Sequence, residues 1–464
     1  MNLEDLAKKT LSDPILFKLS NLARQRNVSI FLVGGYIRDL ILRMVRKDYD
    51  FALSKEDSSF ISVMEEALCF RFFKLGKEET GTVTYRVIKD DLSFDLTFFQ
   101  GRNIEEDLKR RDFGINAIAF SLLDQTFQWA EGALEDIEKQ VIRTVSPFSI
   151  EQDPLRMLRA IRYLCTLSGF VLEKGLRNEI TSQKGLITKI PGERIKMEID
   201  HIFLSSHPAL GIKSLYETSL FLTLWPEVKG LEELRQGEYH HLDVLFHSIL
   251  IVEKLSWALD WVARKRRKVT LGQDDLLALH YAALFHDIGK QDTFTEDEKG
   301  RVHFYHHESF SAQRAERIME RLRFSNPMRN RILRLIQNHM RILNLTGETK
   351  ETALKRLVNQ IGEETPLLVL HTIADKEASR GILSVQTDEV VEANCLRVLE
   401  LFEENEVVHP PPFITGRDVM ALGYLPGPRV GEILDFIRQK QVEGEVRTRE
   451  EALEMLREKF VFQG

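Results

Sequence analysis

Strand-forming sequence is confined to the first 145 or so of the chain's 464 residues. Runs with two-residue alternation or dense β-branched and aromatic content occur from Val28 to Val33 and in DYDFAL, TGTVTYRVI, LSFDLTFF and AIAFSLLD. From about Pro147 onward the period becomes helical. DPLRMLRAIRYLCTL places Leu155, Leu158, Ile161, Tyr163 and Leu164 on one side and Arg156, Arg159 and Arg162 on another. Such a chain is expected to be α+β, with a small mixed-sheet head followed by an all-α body. Turn-rich breaks near Trp225, Pro226 and Gly230, and at Pro410, Pro411 and Pro412, divide the rest. The expected segments are 1–145, 146–230, 231–405 and 406–464, since the length exceeds what one ordinary core accommodates.

Composition narrows the function. A hydrophobic share of 43% and a charged share of 29% are those of a folded globular protein. No apolar run reaches the roughly 18 residues of a membrane span, and MNLEDLAKKTLSDP lacks an apolar signal core. A cytoplasmic protein is therefore expected. Cys69, Cys165 and Cys395 are scattered in apolar sequence and read as buried thiols rather than disulfides or zinc ligands. A net charge of -7 and a pI near 6.1 argue against a protein that coats nucleic acid indiscriminately. The basic run Arg264, Lys265, Arg266, Arg267, Lys268 reads as a solvated loop.

The chemistry begins in FLVGGYIRDLILRMVRKDYDFAL, from Phe31 to Leu53. Residues two apart on a strand face the same way, so Asp48 and Asp50 project side by side while Tyr49 points to the opposite face. Adjacent carboxylates repel unless a cation sits between them. Mg²⁺ favours one or two carboxylates plus substrate phosphates, which makes a nucleotide the natural third party. Asp95, in FDLTFF, is a candidate third carboxylate. Upstream, Gly34 and Gly35 join a buried strand to a helix, where backbone amides approach a phosphate closely and the helix dipole favours negative charge.

In order and spacing, GGYIRD followed by KDYDFAL resembles the signature of the DNA polymerase β-like nucleotidyltransferases, specifically the class II tRNA nucleotidyltransferases and related bacterial poly(A) polymerases. EEDLKRRDFGINAIAF, EGALEDIEKQVIRTV, EQDPLRMLRAIRY and PGERIKMEI resemble further motifs of that family, in family order. The resemblance implies Mg²⁺ on Asp48 and Asp50, with Asp95 beside them. Gly34, Gly35, Arg38, Asp39, Arg111, Asp112 and Asn116 would surround the nucleotide, and Asp136 and Arg143 would form a hinge. Asp153 and Arg156, with Gln152 and Arg159 beside them, would read the edge of the incoming base. For Arg159, a solvated or RNA-facing helix surface is an equal reading. The substrates implied are the tRNA acceptor arm and CTP, ATP or both.

Three departures from the pattern matter. Gln152 stands where the motif usually has glutamate; it can still orient Arg156 by a hydrogen bond. Gly114 stands where threonine is usual. Only QGRNI separates FDLTFF from EEDLKRRDF, where enzymes completing the whole CCA end carry a longer loop. The short segment resembles the CC-adding subgroup, whose partner would be a second nucleotidyltransferase that completes the end. Full CCA addition, A addition and poly(A) synthesis remain alternatives.

A second series runs HLDVLFHSILIVEKL, LHYAALFHDIGKQD, HFYHHESFSA, LIQNHM and IADKEASRG. Burying an adjacent His and Asp is expensive, and a shared cation relieves the cost. The series resembles an HD phosphohydrolase domain, which implies His247, His286, Asp287 and Asp375 as ligands of a divalent metal (Mn²⁺, Ni²⁺, Fe or Mg²⁺), with His307 and His339 as the extra histidines of binuclear versions. The other class of reading makes this domain the working part and the head an RNA-binding module.

Overall fold

The structure is a computed structural model that describes residues 2–45, 47–76, 83–236, 242–265, 267, 269–379, 388–404 and 412–460. Pro410, Pro411, Arg266 and Lys268, part of the TGTVTYRVI strand and the end of IADKEASRG, named above, lie outside the described residues. The chain divides into two compact units, Met1–Ile190 with Ser214–Thr223 and Pro191–Lys213 with Leu224–Gly464.

The first unit holds a seven-stranded mixed sheet in the order β3-β4-β5-β2-β1-β6-β7. Its strands are β1 (Ile30–Val33), β2 (Asp48–Leu53), β3 (Phe73–Leu75), β4 (Thr84–Lys89), β5 (Leu92–Phe98), β6 (Ile118–Ser121) and β7 (Phe127–Trp129). Only β2 and β5 run parallel, and their register sets Asp50 directly beside Asp95. Strand β1 is buried along its whole length, as its uninterrupted IFLV dictates. Phe31 and Val33 join Ala52 and Ala119 in a cluster with Ile104 and Leu108 of helix α5 (Ile104–Lys109).

Ahead of the sheet stand helices α1 (Leu3–Leu11) and α2 (Pro14–Arg26). Asp13 caps α2 by accepting from the Ile15 and Leu16 amides. Helix α3 (Gly35–Ile41) springs directly from β1, α4 (Phe60–Leu68) follows β2, and α6 (Ala133–Glu138), α7 (Ser149–Gln152) and α8 (Arg156–Thr166) complete the part that bears on the site. Cys69 closes α4 with a left-handed backbone and is exposed, correcting the expectation of three buried thiols; Cys165 and Cys395 are buried. A helix C-terminus puts the residue after the last turn at the surface whatever its neighbours.

Among its described residues the second unit is helical apart from a short hairpin, Phe294–Glu296 with Val302–Phe304. The helix Val244–Arg264 lies along Thr365–Ala378, and Gln273–Phe285 and Asn326–Asn338 pack beside them. Gln273–Phe285 is apolar around its circumference and correspondingly buried from Leu277 onward. The C-terminal helices Gly416–Ala421, Pro428–Val442 and Arg449–Lys459 build a separate small core around Ile414, Val419, Ile433, Ile437 and Leu456. No helix among the described residues is long and apolar enough to cross a membrane.

Candidate functional site

The first unit gathers the glycine, carboxylate and arginine motifs at the end of β1. Gly34 has φ +74°, a conformation that favours glycine, and a Cβ there would stand 3.2 Å from Arg111 Nη1 and 3.6 Å from Asp50 Oδ2. Asp48, Asp50 and Asp95 therefore share one patch of sheet next to the start of α3. Asp48 is exposed and Asp50 half-buried. Burial, opposed by Arg111 and reinforced by the Asp95 and Asp48 charges, pushes the Asp50 carboxyl up to about 6. Three acidic groups, with the Asp50 carboxyl among them raised, fit a divalent cation, whose charge removes their mutual repulsion. Asp95 also receives Arg86 of β4, Nε at 2.6 Å and Nη2 at 2.5 Å, a partner that sequence reading missed.

Around this patch runs a polar chain. Arg38, buried, donates from Nε to Asp39 Oδ1 at 2.8 Å and from Nη1 to Asn116 Oδ1 at 2.6 Å. Asn116 donates to Asp112 Oδ1 at 3.0 Å, and Arg159 donates to Asp112 Oδ2 through Nε at 2.9 Å and Nη2 at 2.5 Å. Burial would raise the Asp112 carboxyl, but the Arg159 guanidinium, the Asn116 amide and the Phe113 N–H hold it down at about 2. Arg159 is thus half-buried and turned toward Asp112. Arg111 is braced by Asp107, Nη2 to Oδ2 at 3.1 Å, one helical turn earlier.

Tyr163, read from its period as part of the leucine side of α8, belongs with the arginines instead. Arg38 lies 5.1 Å and Arg162 4.9 Å from its ring centroid, and Arg159 Nη2 donates to its hydroxyl at 3.3 Å. Its position one residue past the arginine row carried the only signal.

Gln152 does not do what the sequence suggests. It is exposed, while Arg156 donates from Nη1 to Ser149 Oγ at 2.6 Å and from Nη2 to the Arg110 carbonyl at 2.8 Å. Helix α7 ends at Gln152, so the chain turns before Arg156 and leaves Ser149 facing the guanidinium. Asp153 sits at that turn, accepting from the Leu155 amide at 3.2 Å, and its charge is felt at Arg156. Asp136 and Arg143 pair at 3.4 Å. The glycine at 114 has a cause in this chain: a Cβ there would stand 2.2 Å from Asp136 Oδ2. Phe99–Asn103 is pinned onto α5, with Asn103 capping it and Asp107 accepting from the Gln100 amide at 3.0 Å.

In the second unit the six predicted side chains converge. His286 follows the helix Gln273–Phe285, and Asp287 is the next residue. His286, His307 and His339 each direct Nδ1 at a backbone carbonyl, of Ala283 at 2.9 Å, Phe304 at 2.8 Å and Ile336 at 2.7 Å. A carbonyl only accepts, so each Nδ1 carries a proton and Nε2 is the atom left to meet a ligand. Those Nε2 atoms turn inward. His286 Nε2 lies 3.1 Å from Asp287 Oδ2, and His307 Nε2 is 3.1 Å from Asp287 Oδ1. His247 Nε2 reaches Asp375 Oδ1 at 3.1 Å. His307 and His339 bring their Nε2 atoms to 3.1 Å of one another. Burial and the neighbouring His286 keep His339 neutral, well below the usual histidine range. Two ring nitrogens at that distance need a proton or a metal cation between them. Two ligand groups are formed, His247, His286, Asp375 and His286, Asp287, His339, all buried. Asp287 also receives Lys290 Nζ at 2.6 Å. A seventh buried side chain, His371, stands among them and was missed by sequence reading; its ring is 4.9 Å from that of His286.

The basic run is partly structural: Arg267 donates to Glu403 at 2.6 Å and pairs with Glu400, and Arg264 lies over Trp257.

Comparison with known proteins adds ancestry to this geometry. Residues 30–143 match the family described as "Poly A polymerase head domain", 169–231 that of the "probable RNA and SrmB-binding site of polymerase A", and 293–456 tRNA nucleotidyltransferase domain 2. The chain is 33% identical to the A-adding tRNA nucleotidyltransferase of Deinococcus radiodurans, over 91% of this chain and 93% of the relative. It is 32% identical to the CC-adding tRNA nucleotidyltransferase of Thermus thermophilus, over 91% and 92%. The fold is shared with a CCA-adding enzyme solved with ATP, at TM-score 0.65 and 19% identity over 99% of both chains. It is also shared with the Thermotoga maritima CCA-adding enzyme solved with tRNA, at TM-score 0.59 and 20% identity over 99% and 98%. With a head of mixed sheet, a helical body and full-length similarity to two such enzymes, the chain belongs to the class II tRNA nucleotidyltransferases.

Proposed function

We propose that the chain adds C residues from CTP to the 3′ end of tRNA, that Asp48, Asp50 and Asp95 form its reaction centre, and that a buried metal centre in the second unit carries a hydrolytic activity. The observation that supports the first reading is the position of Gly34 at the start of α3, where a Cβ would meet Arg111 at 3.2 Å and Asp50 at 3.6 Å, so that a backbone without a side chain lies beside the paired carboxylates.

Mg²⁺ held by Asp48 and Asp50 would lower the pKa of the RNA 3′-hydroxyl and neutralise the triphosphate. The chain's own contribution is positional. Gly34 and Gly35 admit the triphosphate to the start of α3, and Arg111, braced by Asp107, adds positive charge beside it. Arg38, Asn116, Asp112 and Arg159 form a rigid rail that fixes the sugar end of the nucleotide. Ser149 and the Arg110 carbonyl hold the Arg156 guanidinium beside Asp153, where donor fork and acceptor together read a base edge.

The preference for C rests on Phe99–Asn103. The segment is short and tied to α5, so it offers no long loop with which to change nucleotide selection after the second C. The 33% and 32% identities to an A-adding and a CC-adding relative do not favour either specificity. A second enzyme would then finish the end. The test uses three tRNA transcripts, ending at the discriminator base, after one C and after CC, each offered CTP, ATP or both with Mg²⁺. Extension of the first two to CC with refusal of ATP by the third is expected; a single A on the CC-ended transcript would make this a complete or A-adding enzyme, and long A tails a poly(A) polymerase.

The hydrolytic reading rests on the facing Nε2 atoms of His307 and His339 and on Asp287, which touches histidines with both oxygens. Such an HD-type centre would act on phosphoesters such as 2′,3′-cyclic phosphates. Asp48→Ala is expected to abolish nucleotide addition and spare phosphoester hydrolysis, and Asp287→Ala to do the reverse.

A further inference from the structure

We infer that His371 is a further metal ligand of the second unit, giving the centre five imidazoles and two carboxylates; this rests on the reading of that cluster as a metal centre. His371 lies one helical turn before Asp375 on Thr365–Ala378, and residues four apart on a helix share a face. Asp375 already belongs to the ligand group with His247 and His286. The His371 ring stands 4.9 Å from the His286 ring at 73° and 5.9 Å from the His339 ring. It is fully buried, and neither its Nδ1 nor its Nε2 has a hydrogen-bond partner among the described residues. A neutral imidazole always presents one donor and one lone pair, and a buried one normally satisfies both. Each of His286, His307 and His339 answers its Nδ1 with a carbonyl; His371 has no such tether. A buried ring packed against two histidines of the cluster, with neither nitrogen answered by the protein, is accounted for by a cation it helps to hold.

The extra imidazole has a consequence for metal choice. Five nitrogens against two carboxylates favour Mn²⁺, Fe²⁺, Co²⁺ or Ni²⁺ over Mg²⁺, which prefers an oxygen shell and sheds water reluctantly. The experiment is metal titration of the full-length chain, with Mn²⁺ as the probe and excess Mg²⁺ present to occupy the carboxylates of the first unit, read by elemental analysis after desalting and by calorimetry. Wild type, His371→Gln and His286→Ala are compared, with thermal melts reporting whether each is folded. The expected result is that wild type retains Mn²⁺ and that His371→Gln weakens its retention at least tenfold. Retention by the folded His371→Gln chain equal to wild type would overturn the assignment. If His286→Ala also matches wild type, it is the metal centre itself that fails. Should His371→Gln not fold, anomalous density from the Mn²⁺-loaded wild type decides: a peak about 2.2 Å from a His371 nitrogen supports the assignment, and one beyond about 3.5 Å overturns it.

Discussion

Tyr49, which separates the two aspartates of β2, donates its hydroxyl to Asp13 Oδ2 at 2.8 Å, and Tyr36 from α3 donates to the same oxygen at the same distance. The other Asp13 oxygen caps α2. One carboxylate therefore ties together the helix after the glycines and the strand of the carboxylates, from the face opposite the site. Asp13→Ala removes a cap, costing about 1 kcal/mol, and leaves two phenols without their acceptor, costing about 1–3 kcal/mol more. A lower Tm with reduced nucleotide incorporation is expected, and Tyr49→Phe should lose about 1 kcal/mol only. An unchanged melt for Asp13→Ala would mean that the tie contributes nothing to stability.

The elevated Asp50 carboxyl makes a pH prediction. Its folded value of about 6 lies above the ordinary carboxylate range, so the proton is held more tightly in the folded chain, and protons compete with Mg²⁺ as pH falls through 6. The Mg²⁺ concentration for half-maximal incorporation should rise about tenfold per pH unit below that value and stay flat above pH 7. Titrations of Mg²⁺ at pH 5, 6, 7 and 8 check this; a flat series would remove Asp50 from the metal site.

Asp112 has the opposite sign. Its carboxyl is held at about 2, below the ordinary value near 4, so its interactions stabilise the fold above the ordinary value. That contribution is lost as pH falls through the folded value. Arg159→Leu leaves a buried carboxylate without its guanidinium and should cost roughly 3–5 kcal/mol at pH 7. The loss should shrink on acidification towards pH 4, because in the variant Asp112 is no longer held down by Arg159 and protonates there while the wild-type carboxyl stays ionised; melts over that range measure it. A penalty independent of pH would mean that Arg159 acts by packing.

At position 114 the space itself is informative. Gly114→Ala puts a methyl where Asp136 Oδ2 sits, so the carboxylate must move off its 3.4 Å pairing with Arg143. A loss of about 1–3 kcal/mol is expected. Gly114→Ala combined with Asp136→Ala should lose less than the sum of the single changes, because they share one clash. Strict additivity in the double-mutant cycle would show that the two residues do not compete for space.

The sequence carried the architecture because its two periods do not overlap: alternating β-rich runs stop near Asp124, and helical repeats follow. It carried Asp48, Asp50 and the histidines because acidic or imidazole side chains in apolar runs are costly without a cation. It did not carry Arg86, Asp13 or Ser149, whose roles depend on strand register and helix ends rather than on composition. Gln152 misled for the same reason, since α7 stops there and the chain turns before Arg156. His371 was legible only as one turn before Asp375, in a helix buried on every side.

The parallel pairing of β2 with β5 has a consequence for how the enzyme is made. Asp50 and Asp95 are neighbours across a parallel pair although α4, β3 and β4 lie between them in the chain, and β1 is flanked by β2 and by the later β6. Arg159, arriving later still, completes the rail through Asp112. Contacts so distant along the chain close late, since loop entropy is lost before they compensate for it. A nascent chain on the ribosome consequently cannot bring all of these side chains together until nearly the whole first unit has been synthesised.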